Sequence, residues 1–200
     1  MKVFKATDRD MTCTKGHGTF KYELGKTYTE PAAKVAHYGL HVSEYVMEAV
    51  YWYPPADGGR IFAGIGEGID EENGDKISCR KLTLLTELST PQIVAEALLY
   101  MLAHPQREYE KRGRNFEVSK DRAECGRGGI AIARGRYPKA RGGKDAMLGL
   151  MNDDQKEVRM LKVGRNGIRV DRWYQLKDGE VIECETGRSV DTEAAEAPEG

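Results

Sequence analysis

His41 is the side chain whose surroundings most suggest chemistry. It stands in the stretch YGLHVSEYVMEAVYWYPP, residues 38–55. An imidazole exchanges a proton near neutral pH. Here it precedes Ser43, a good helix cap, and the helix expected after that cap ends in Tyr51, Trp52 and Tyr53. A second set is cationic: Arg127, Arg134, Arg136, Lys139 and Arg141, with Tyr137 among them. Lysine and arginine neutralise phosphate oxygens and a tyrosine ring stacks on a base, so this set suits an anionic partner, nucleic acid or nucleotide.

Other patterns carry less. Cys13 and His17 lie four apart in a turn-rich segment, which is weak evidence for a thiolate site. Gly64, Gly66 and Gly68 have phosphate-loop spacing, but Glu67, Asp70, Glu71 and Glu72 would repel phosphate and no helix follows to offer its first amides. There is no HExxH motif and no serine in a nucleophile elbow. Cys13, Cys79, Cys125 and Cys184 are scattered without zinc spacing, so no metal site is expected and a reduced, cytoplasmic protein is the simplest account.

The elements that would position these groups follow from periodicity. Leu40 and Val42 alternate with His41 as a short strand, and Val46, Ala49, Val50 and Tyr53 form a helical stripe that Pro54-Pro55 stops. Strands are expected at 2–6, 20–24, 60–65 and 76–85, a short helix at 31–37 and an exposed loop at 66–75. Thr90-Pro91 should open a strong helix with Ile93, Val94, Ala97, Leu98, Met101 and Leu102 on one face. His104 at its end suits the helix dipole better than catalysis. Segment 128–149 alternates small and apolar residues with frequent glycine, the texture of β-solenoid rungs. Strands at 158–163, 168–176 and 181–184 follow, the last pair joined by an Asp178-Gly179 turn.

The expected fold class is therefore α+β: a mixed α/β domain over 1–105, a charged linker over 106–120, a small all-β part over 121–185 with solenoid-like rungs and a hairpin, and an acidic tail over 186–200. Net charge is only −1, but its distribution is uneven. Residues 107–144 hold 12 Lys or Arg against 5 Asp or Glu, and residues 178–200 hold 8 acids and one base, which reads as a solvated basic surface and a disordered tail. No run approaches the ~18 apolar residues of a membrane span, and the first residues lack the apolar region of a signal peptide.

The run Asp10-Met11-Thr12-Cys13, then FKYELGKTY at 20–28, Gly39-Leu40-His41 and Tyr53-Pro54-Pro55 resembles an uncharacterised domain family of phage and prophage proteins. Members of that family often carry a C-terminal array of Gly/Ala/Ser-rich rungs similar to trimeric adhesin heads, and 128–149 looks like a shortened array. The resemblance implies a phage context, a bacterial host cytoplasm and a two-part build, with no activity to transfer. The order of the early elements is also similar to NAD-using ADP-ribosyltransferase-like domains. That likeness implies His41 for polar contacts to substrate, Tyr51 or Tyr53 for stacking and Glu87 as the carboxylate that stabilises a cationic sugar. The chain departs from that superfamily in its first strand, where Lys5-Ala6 stands in place of a His or Arg and a small residue.

Three functions are thus expected, in this order. The first is a phage accessory binding module without cofactor, self-associating as an oligomer such as a trimer and countering a host defence. The second is an NAD-using enzyme. The third is a virion-associated structural protein.

Overall fold

The computed structural model describes residues 1–14, 18–35, 37–71 and 77–184. His17 and the tail 186–200, both singled out above, lie outside the described residues.

An antiparallel sheet is built from β1 (Lys2–Thr7), β4 (Thr27–Thr29), β5 (Leu40–Val42), β6 (Arg60–Glu71) and β7 (Ile77–Glu87), in the order β1-β6-β7-β4, with β5 also on β7. β2 (Thr12–Cys13) and β3 (Phe20–Lys21) pair separately. Phe4 and Ser43 exchange backbone hydrogen bonds of 2.7 and 2.9 Å, tying β1 to the residue after β5. The sheet therefore curls, and its inner face buries Val3, Tyr22, Leu40, Val42, Phe62, Cys79, Leu82 and Leu84.

Two helices, α1 (Val46–Trp52) and α2 (Thr90–Ala103), are the α-helices among the described residues. α1 starts after Tyr45 and not after Ser43, because the backbone of Ser43 is committed to Phe4. Ser89 caps α2 in a reciprocal pairing with Gln92, which satisfies first-turn donors.

A seven-stranded sheet follows: β8 (Lys111–Gly113), β9 (Phe116–Cys125), β10 (Ile130–Gly142), β11 (Met147–Asn152), β12 (Glu157–Lys162), β13 (Trp173–Lys177) and β14 (Glu180–Cys184). β9, β10 and β11 are mutually parallel, while β8, β12, β13 and β14 add antiparallel pairings. Asp178 and Gly179, between β13 and β14, both have positive φ, as a type I′ turn requires.

The α+β expectation is overturned: strands dominate the described residues, and no solenoid is found among them. Segment 128–149 supplies β10 and β11 to the mixed sheet. Ile130, Ile132 and Met147 face the core beneath α2, while Ala131, Ala133, Leu148 and Leu150 pack on Tyr174 and Leu176. The expected loop at 66–75 is strand through Glu71. Just before it, Gly64 serves close backbone approach, since a Cβ there would lie 2.4 Å from the Thr83 carbonyl oxygen. Residues 31–35 and 37 make turns and not a helix, closed by reciprocal bonds between Lys34 and Tyr38. Within 106–120, read as a linker, lie β8, the start of β9 and the buried Tyr109, Phe116 and Val118. One apolar cluster runs from Phe4 of β1 through Val46 of α1 and Met101 of α2 to those residues and Met147.

Candidate ligand pocket

Alternation along β1 places Val3, Lys5 and Thr7 on one face. Val3 belongs to the inner cluster of the curled sheet, so Lys5 points into an apolar interior and is only 5% exposed. β5 brings His41 alongside, and the end of α1 contributes Trp52 and Tyr53. The β2–β3 pair adds Cys13 and Phe20, and the amide of Tyr22 donates to the Met11 carbonyl at 2.8 Å. Together these elements enclose a cleft of about 410 Å³, a size that suits a small organic molecule.

The polar groups of the cleft are few and connected. The Lys5 ammonium donates to the His41 carbonyl at 2.8 Å and lies 4.8 Å from the centre of the Tyr22 ring. Cys13 is within its hydrogen-bonding reach. The Tyr53 hydroxyl donates to Cys13 Sγ at 3.4 Å and accepts from the Thr14 amide at 3.0 Å. Phe20, Tyr22 and Tyr28 form an aromatic trio with centroids 4.7 to 5.4 Å apart. Burial lowers the Lys5 pKa, and the neighbouring Cys13 opposes this more weakly. Burial raises Tyr22 well above the usual phenol range and pushes the Cys79 thiol behind the cleft up to about 11.

Of the residues the sequence suggested for catalysis, His41 and Tyr53 line this cleft. Tyr51 does not. It is exposed on α1, against Trp52 and with the Lys111 ammonium 5.3 Å from its ring. Glu87 is also elsewhere, at the end of β7 in a two-point pair with Arg60 (2.5 and 2.8 Å) that holds its pKa below the usual range. Glu30 is the carboxylate among the described lining residues.

The cationic set is spread over β10 and the turn before it. Arg134 pairs with Asp153 at 3.0 Å, donates to the Pro105 carbonyl and lies over Tyr109. Arg141 pairs with Glu124 at 2.6 Å and covers Trp173. Arg136 approaches Asp154 at 3.6 Å, and Tyr137 sits between the cations of Arg136 and Lys177. Lys139 is buried, and Arg127 is exposed. Arg134, Arg136 and Arg141 therefore already face carboxylates.

Lys5 and Tyr22 are cleft residues that sequence reasoning did not select, and Cys13 entered it only as weak evidence for a thiolate site. The available signal was Lys5 itself, a charge on the apolar face of a strand that starts Lys2-Val3-Phe4. Among the described residues no group of three His, Cys, Asp or Glu is placed to hold a metal, and no helix is long and apolar enough to cross a membrane.

Residues 1–96, which contain every residue lining the cleft, match the model of a family described as a domain of unknown function (DUF7666). No curated protein and no solved structure matches the chain.

Proposed function

We propose that the protein is a binding module, acting in a phage or prophage setting, whose ligand is a small organic molecule held in the β1–β5–α1 cleft through an acceptor oxygen at Lys5. The observation that carries this reading is the Lys5 ammonium: nearly buried, inside a cleft with aromatic walls, and with no carboxylate paired to it among the described residues. An ammonium has three N–H donors. The His41 carbonyl takes one and Cys13 stands by another, so a ligand carbonyl or carboxylate oxygen can complete the set. A buried charge short of partners is costly, and a ligand oxygen offsets that cost. Tyr22, Trp52 and Tyr53 supply the apolar contact that fixes such a ligand in place.

An anionic-partner role for β10 draws less support, because Arg134, Arg136 and Arg141 face carboxylates of their own chain. The NAD-using enzyme reading is likewise weaker, since Tyr51 and Glu87 stand outside the cleft. The test is a thermal-shift and calorimetric titration of the full chain with pyruvate, acetate and benzoate, repeated on Lys5→Met. Binding by the native chain that is weakened in the variant supports the reading. Equal responses in both proteins, or binding of an oligonucleotide at low salt with none of the small acids, would remove it.

A further inference from the structure

We propose that Lys5 is a nucleophilic amine that holds a small aldehyde or ketone in the cleft as a covalent imine. This rests on the cleft being a ligand site and goes further, by naming the reactive class of the ligand and the bond it forms.

Three observations converge on the Lys5 nitrogen. Its neighbours His41, Tyr22 and Cys13 all line the cleft, as Lys5 itself does, which places the amine at the cleft wall. Among the described residues no carboxylate is paired with it to hold it as an ammonium. Finally, burial favours the neutral amine, the form that attacks a carbonyl carbon. Desolvation of this kind is a general way of making a lysine nucleophilic.

The step balances without any redox partner. The ammonium loses a proton to water, and the amine nitrogen bonds to the carbonyl carbon. The carbonyl oxygen becomes a hydroxyl and then departs as water after protonation. The product is a protonated imine. Ammonium plus carbonyl compound thus becomes iminium plus water, with the charge unchanged. The Tyr22 ring, 4.8 Å from the nitrogen, is placed to hold the iminium as it holds the ammonium, by attraction of a cation to the aromatic face. The Cys13 thiol, which accepts from the Tyr53 hydroxyl, keeps its own S–H to offer the departing oxygen from the same cleft wall.

The probe is pyruvate with sodium cyanoborohydride, which reduces an imine to a stable amine, applied to the full chain at neutral pH and followed by peptide mapping. Lys5 should label severalfold faster than exposed Lys120 and Lys156, because desolvation favours its free amine. Its rate should also level off at a lower pH than theirs. Buried Lys139, which lines neither the cleft nor its mouth, should stay unlabelled. Labelling of Lys5 no faster than of Lys120 overturns the proposal, and because this comparison is made within the native chain it does not depend on a variant folding. A parallel titration with pyruvate and acetate without reductant separates the two levels. Binding without a Lys5 adduct leaves a non-covalent pocket, whereas neither binding nor adduct removes both.

Discussion

The Glu48 carboxylate on α1 and the Lys111 ammonium on β8 form an ion pair across 63 positions of sequence. Both side chains are largely shielded, at 8% and 19% exposure. The pair fastens the helix that walls the cleft to the seven-stranded sheet, across the segment that composition had marked as a linker. Removing one partner of such a pair strands the other charge in a low-dielectric site. Lys111→Met should therefore destabilise the protein by about 3 kcal/mol, and adding Glu48→Gln should restore much of that loss. Urea unfolding of the two single variants and the double variant checks this. Strictly additive losses would mean that the two groups act independently.

Lys5 gives a pH signature of known sign. Its pKa is lower in the folded chain than the usual lysine value of about 10.4. Below the folded value both states carry the ammonium, and folding bears the whole cost of burying it. Between the folded and unfolded values the unfolded chain binds more protons, so stability rises with pH across that window. Cys79 and Cys125, whose pKa values burial pushes up to about 11 and 12, act in the opposite sense above the usual thiol range. They are present in both the native chain and Lys5→Met, so the difference between the two reports Lys5 together with its coupling to Cys13 and Cys79. The variant should be more stable at neutral pH by about 1–2 kcal/mol, and its advantage should shrink as pH approaches ~10. An advantage that grows with pH would contradict the burial argument.

How much of this was legible in the sequence follows from what the signals encode. α2 was visible because Ile93, Val94, Ala97, Leu98 and Met101 repeat at helical spacing behind a proline, and these residues are buried, although the cap is Ser89 and not Thr90. The turn at Asp178-Gly179 was equally local. Ser43 looked like a cap because its type suits one, but its backbone is claimed by Phe4, 39 positions earlier. Gly66 and Gly68 looked like the start of a loop because glycine is permissive, whereas both lie in β6, where a Cβ on Gly66 would press on Val3 and Ile69 and one on Gly68, whose φ is positive, on the Arg80 side chain. The cleft shows the same limit. His41 and Tyr53 stood out by type and local position, while Lys5 and Cys13 acquire meaning only when the sheet curls and brings β1, β2 and β5 together. Long-range pairing decided each of these outcomes, and periodicity carries no record of it.

Tyr45 provides a test of the shared core. Its side chain is 1% exposed, lies among Tyr100, Tyr109 and Arg107, and its hydroxyl has no hydrogen-bond partner among the described residues. A buried hydroxyl left unpaired costs more than it returns. Tyr45→Phe keeps the ring packing and deletes that group, so it should raise stability by about 1 kcal/mol. The midpoint of urea unfolding reports it. A loss of similar size would show that the hydroxyl is hydrogen-bonded in solution.

Gly39 connects backbone geometry to the cleft it lines. Its φ is +89°, a region that side chains with a Cβ rarely adopt, and a Cβ there would lie 2.5 Å from Ser78 Oγ. That hydroxyl is itself committed, donating to the Tyr38 carbonyl at 2.5 Å. Gly39→Ala must therefore either strain this turn or push β5 away from β7, and His41 moves with β5. The expected cost is about 1–3 kcal/mol of stability, together with weaker binding of whatever small molecule the cleft accepts. Adding Ser78→Ala removes the nearest contact but leaves the Ala32 carbonyl oxygen and Ala33 Cα at 3.0 Å and the positive φ, so it should recover only part of the stability. Complete recovery in the double variant would mean that the hydroxyl contact alone sets the requirement for glycine. Retained binding in a destabilised Gly39→Ala protein would mean that the position of β5 does not control the site.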